Sequence, residues 1–92
     1  MPDKNESTLR LRTNLLRQLD CAAPGSLKIS TLLIGAHDEA FRVDERQIEI
    51  ECAHLADPEV GMIRRETSAL GAGVKRYALT AKGRDYLAEA GF

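Results

Sequence analysis

Apolar residues recur at helical spacing over most of this chain and switch to strand-like runs near its end. Leu9, Leu11, Leu15, Leu16, Leu19, Ala22 and Ala23 fill one broad arc of a helical wheel. Arg10, Thr13, Asn14, Arg17 and Gln18 fall on the opposite side. Ser7 or Thr8 is a suitable N-cap, and Pro24-Gly25 a suitable stop, so a first helix is predicted over about 8–22. Residues 1–6 are polar and are expected to form a disordered tail, leaving one folded domain over 7–92. Leu27-Lys28-Ile29 has the composition of a very short strand. Ser30 then predicts the cap of a second helix, over about 31–40, with Leu32, Leu33 and Ala36 inward. Gly35 weakens that helix by about 1 kcal/mol relative to Ala. Phe41-Arg42-Val43 reads as a turn that drops an apolar anchor into the core. Asp44 caps a third helix, with Gln47 three positions on as in a capping box. Ile48, Cys52, Leu55 and Ala56 form its buried stripe, and Asp57-Pro58 stops it.

Beyond Gly61 the period changes. Residues 62–68 and 74–79 read as two strands joined by the glycine-bearing loop 69–73. Thr80 predicts the cap of a last helix over about 81–90, with Tyr86, Leu87 and Ala90 inward. The predicted order is helix, short strand, helix, helix, hairpin, helix. This α+β order is that of a winged helix-turn-helix: a three-helix core, a β-hairpin wing and a C-terminal helix.

Two stretches resemble known families. Residues 43–63 resemble the segment of winged-helix regulators that begins with a polar cap and ends past the third helix in a glycine and apolar residues. Tyr77-Ala78-Leu79-Thr80-Ala81-Lys82-Gly83-Arg84-Asp85-Tyr86-Leu87 resembles the element that follows the wing in multiple-antibiotic-resistance-type and phenolic-acid-type repressors. The layout from Leu9 to Leu87 is similar to that of small winged-helix proteins of Mu-like prophages. The resemblance implies a small DNA-binding transcriptional regulator of bacterial or prophage origin. Dimerisation through terminal helices is common in these families. The breadth of the first helix's apolar arc points the same way, since part of it would serve a homodimer, although a tightly wrapped core would use it equally well.

Charge complicates that expectation. The net charge is −1. Residues 43–62 hold one base, Arg46, against six acids, whereas residues 63–92 hold six bases against three acids. In a winged helix the third helix enters the major groove and the wing touches the backbone. The outward centre of the third helix is Arg46, Ile50, Ala53 and His54, flanked by Gln47 and Glu49, with Glu45 and Glu51 nearer the core boundary. Arg46 suits guanine, Gln47 suits adenine, and Ile50 suits a thymine methyl. The surrounding acids repel phosphate, whose neutralisation supplies most non-specific affinity. The hairpin offers Arg64, Arg65, Lys75 and Arg76 for that task. Solvation of a strand edge, or pairing with the acidic third helix, would occupy the same bases. The competing reading is a protein-interaction module whose acidic third helix, with Ile50 exposed, docks a basic partner without DNA.

Other chemistries find little footing. Cys52 and His54 are two apart on a helix and point in different directions, so no metal site is expected. Gly71-Ala72-Gly73-Val74-Lys75 lacks the spacing of a phosphate loop and falls in a hairpin. His37-Asp38-Glu39 has no partner nucleophile, and the carboxylates of the third helix are expected to be exposed and unshifted. The expectation is a protein that is not an enzyme and needs no cofactor. Cys21 and Cys52 read as small buried apolar residues rather than a disulfide. No apolar run approaches the ~20 residues that span a bilayer, and no signal segment is visible, so the expected compartment is the cytoplasm.

Overall fold

The computed structural model describes residues 4–67 and 75–91. Its elements are α1 (Lys4–Ala22), β1 (Leu27–Lys28), α2 (Ile29–Asp38), α3 (Glu45–Leu55), β2 (Ile63–Thr67), β3 (Lys75–Leu79) and α4 (Ala81–Glu89). The fold is α+β: four helices and one antiparallel sheet of three strands in the order β1-β3-β2. The loop expected at 69–73 lies outside the described residues, as do residues 1–3. No helix among the described residues is long and apolar enough to cross a membrane.

α1 supplies the centre of the core. Leu11, Leu15, Leu16 and Leu19 are almost fully buried, each stabilising the fold by about 2 kcal/mol. Ile29, Leu32 and Ala36 of α2 and Ile48, Cys52 and Leu55 of α3 pack against them. The sheet closes the other side with Ile63, Tyr77 and Leu79, and α4 contributes Leu87.

Several element boundaries differ from the sequence reading. α1 begins at Lys4, so Ser7 and Thr8 lie inside it and residues 4–6 are helical rather than tail. None of Lys4, Asn5 or Glu6 breaks a helix, and extending an existing helix adds one hydrogen bond per residue fixed. Leu9 is exposed, because it falls at the edge of the arc. Asn14 is buried instead: its Oδ1 accepts from Gln18 Nε2 at 2.8 Å, and the same amide donates to Leu32 O at 3.1 Å. Gln18 sits over Gly35, where a β-carbon would lie 2.1 Å from Gln18 Oε1. Gly35 is therefore the place where α1 and α2 approach closely. Cys21 is exposed, on the side of α1 away from its leucines.

α2 starts two residues earlier than expected, at Ile29 rather than Thr31. Its N-cap is Lys28, with no side-chain cap, and Ser30 is already helical. Ile29 is buried, so core packing rather than a capping hydroxyl sets this end. The other end closes with Ala40 at φ 66°. Phe41 N donates to Ala36 O and Ala40 N to His37 O, a Schellman closure that turns the chain toward α3. Asp44 caps α3 as expected, its Oδ1 accepting from Gln47 N at 2.8 Å.

The Thr80–Gly83 element ties the hairpin to α4. Thr80 Oγ1 donates to Gly61 O at 2.6 Å and accepts from Gly83 N at 3.2 Å. Thr80 N donates to Met62 O at 3.1 Å. A β-carbon on Gly83 would lie 2.2 Å from that same Met62 oxygen. The threonine and glycine in this motif are thus explained by the packing of α4 on the start of β2. Ala90, expected inward, is exposed just past the end of α4.

Candidate nucleic-acid interface

The surface formed by α3 and the hairpin collects the charged residues that matter. Along α3, Ile48, Glu51, Cys52 and Leu55 are buried, which turns Arg46, Ile50, Ala53 and His54 outward. Ile50 keeps 52% of its surface exposed. Gln47 is half-buried at the flank, and its Nε2 donates to Glu51 Oε1 at 3.3 Å. Gln47 is therefore already engaged at the edge of the face, while Arg46, Ile50 and His54 stand on it.

The acids of α3 are not one exposed cluster. Glu51 is 4% exposed, and Arg12 of α1 donates to its Oε2 at 2.5 Å. This corrects the expectation of exposed carboxylates throughout α3. The physical reason is that Arg12 falls within the leucine arc of α1 and Glu51 lies three positions after Ile48, so two inward faces bring opposite charges together. An arginine inside one apolar arc and a glutamate beside another was the sequence signal for this pair. Glu49 is half-buried on the hairpin side, where its Oε1 receives Lys75 Nζ at 3.3 Å. Asp44 is occupied by the helix cap. Glu45 remains exposed.

Cys52 lies between the two glutamates. Burial, then Glu51, then Glu49 push its thiol up to about 12. It is an inert core residue at neutral pH. Burial also raises Tyr77, with Cys52 and Glu49 adding to the shift and Arg65 opposing it.

Strand register divides the hairpin bases between two faces. Cross-strand partners share a face, and successive residues alternate. Arg65 pairs with Tyr77 and Thr67 with Lys75. Lys75 touches Glu49, so this face is the one toward α3. Arg64 pairs with Ala78 and Glu66 with Arg76, on the opposite face. There Arg64 donates to Glu66 Oε1 at 3.0 and 3.1 Å. Arg76 donates to Ser26 Oγ at 2.9 Å and to Ser26 O at 3.1 Å. The four bases do not form one patch. Arg65 and Arg46 are exposed and make no ion pair among the described residues.

Elsewhere the surface offers less chemistry. A shallow concavity of about 720 Å³ lies between the start of α1 and the α2–α3 connection, with Phe41 on its wall. Its lining mixes Arg10 and Arg42 with Glu39 and Asp44. Among the described residues no three His, Cys, Asp or Glu side chains converge as a metal site. The leucine arc of α1 is largely taken up by the core, leaving Leu9 as its large exposed apolar residue. Compared with models of known protein families and with curated proteins, the chain matches none.

Proposed function

We propose that this chain is a winged-helix DNA-binding protein acting as a small transcriptional regulator of the bacterial or prophage type. In this reading α1, α2 and α3 are the helical core, β2 and β3 the wing, and α3 the helix that faces the major groove. One observation carries it: of the acids at α3, all but the exposed Glu45 are engaged by the fold. Glu51 is held by Arg12, Glu49 by Lys75, and Asp44 caps the helix. The face left outward is Arg46, Ile50, Ala53 and His54, with Arg65 beside it on the hairpin. A segment that counts as strongly acidic along the chain is much closer to neutral on this face. Arg46 suits bidentate pairing with guanine O6 and N7, and Ile50 suits a thymine methyl. Arg65 and the hairpin supply phosphate contacts, although fewer than four free bases.

The test is duplex titration across salt. Binding is expected at ~50 mM salt, weakening steeply by ~200 mM. Arg65→Ala should flatten the dependence of log K on log salt by about 0.9, the increment of one phosphate contact. Absence of binding at ~50 mM, or an unchanged slope in Arg65→Ala, refutes the reading. The exposure of Ile50 also supports a second reading, in which α3 docks a protein. Ile50→Asp separates the two: it abolishes a protein contact, whereas in the DNA reading it weakens binding while leaving the partner set unchanged.

A further inference from the structure

Lys75 is the hairpin base that points toward the proposed reading helix, yet it is not available there as a free charge. Its Nζ lies 3.3 Å from Glu49 Oε1, and both side chains are 42% exposed. The two residues are brought together by the fold alone, 26 positions apart in sequence. Register puts Lys75 and Arg65 on the same face of the hairpin, and Glu49 is the α3 residue that meets this face. Any phosphate placed on Lys75 would also stand beside the Glu49 carboxylate. Its attraction to the ammonium would be opposed by repulsion from the acid at nearly the same distance.

Resting on the DNA-binding reading, we propose that Glu49 acts as an internal stand-in for a phosphate, withholding Lys75 from DNA and lowering the affinity of this surface for nucleic-acid backbone. The carboxylate occupies the place that a backbone oxygen would take. The surface therefore engages one phosphate fewer than its sequence counts. Arg64 and Glu66 form a similar pair, but on the opposite face of the hairpin. Glu66→Gln serves as the control, because it removes one carboxylate, as Glu49→Gln does, from the face of the hairpin opposite Lys75.

The experiment measures binding of the full chain to a random-sequence duplex by fluorescence anisotropy between ~50 and ~200 mM salt. Native protein, Glu49→Gln, Lys75→Gln, the Glu49→Gln/Lys75→Gln double variant, Glu66→Gln and Glu66→Gln/Lys75→Gln are compared, each checked for native circular dichroism. Glu49→Gln should tighten binding about tenfold at ~50 mM salt and steepen the log–log slope by about 0.9. Lys75→Gln alone should leave the slope unchanged. The same substitution in the Glu49→Gln background should return the slope to its native value, whereas in the Glu66→Gln background it should change nothing. If Lys75→Gln alone flattens the slope by about 0.9, Lys75 already holds a phosphate and the proposal fails. It also fails if Glu49→Gln leaves the slope unaltered. If no variant binds the duplex at ~50 mM salt, the DNA-binding reading itself is overturned, and this proposal with it.

Discussion

Glu51 and Glu49 stand two residues apart on the same helix and have opposite fates. Glu51 is turned into the protein, 6% exposed at its side chain, with Arg12 as its partner. Glu49 keeps 42% of its side chain in water and holds Lys75 across an open surface. In sequence both are acids of one strongly negative segment. In the fold, the first joins α3 to α1 and the second joins α3 to the hairpin. Burial decides what each pair is worth. An ion pair that loses one partner in the interior leaves an uncompensated charge, whereas a solvated pair contributes about 0–1 kcal/mol. The inner side of α3 is thus fixed by structure, and the outer side is free to be tuned for binding.

That contrast can be broken most strongly from the inside. Arg12→Ala is expected to destabilise the fold by about 3 kcal/mol, because it strands the buried Glu51 carboxylate. Urea denaturation measures this directly, and a loss under about 1 kcal/mol would place Glu51 with the solvated pairs. Gly83→Ala should lower stability by about 2–3 kcal/mol, since its β-carbon meets the Met62 carbonyl and that backbone oxygen has little room to move. The same denaturation series checks it.

An alkaline titration sharpens the contrast further. Cys52 sits between the two glutamates, and its thiol is raised from 9.0 to about 12 in the folded chain. The folded state therefore holds this proton more tightly than the unfolded state. The associated stability is fully present below pH 9.0 and is lost as pH rises toward about 12. Within that window stability should fall by about 1.4 kcal/mol per pH unit, with Tyr77 adding in the same direction above its ordinary range. Cys52→Ala should remove the larger part of the slope in urea midpoints measured across this range. The smallest effect is expected on the outside. Glu49→Gln should change stability by under about 0.5 kcal/mol, so a large change in the denaturation midpoint would make Glu49 a structural residue like Glu51.

Much of the scaffold is legible from spacing. The leucines of α1, the Asp44 cap, the Ile48–Cys52–Leu55 stripe and the Thr80 cap all occur where the pattern places them. These features are local: a cap needs its own next three residues, and a stripe needs only the helical period. What pattern missed was set by neighbours distant in sequence. Asn14 reads as polar and outward, but it is buried with Gln18 as its partner, whose amide also donates to the Leu32 carbonyl. Gly35 reads as a weak point in α2, but it is the gap that admits Gln18. Ser30 reads as a cap, but burial of Ile29 starts the helix earlier.

The candidate surface follows the same division. The sequence alone determined which α3 residues turn outward, because Ile48, Cys52 and Leu55 commit the opposite side of the helix to the core. It also determined that bases most outnumber acids in residues 63–92, six against three. Only the tertiary structure decided which charges remain available. Strand register sent Arg64 and Arg76 to one face of the hairpin and Arg65 and Lys75 to the other. Packing of α1 on α3 neutralised Glu51, and packing of the hairpin beside α3 paired Lys75 with Glu49. Net charge is a property of composition, but the field at a surface is screened over about 8–10 Å and depends on which opposite charges the fold brings within contact.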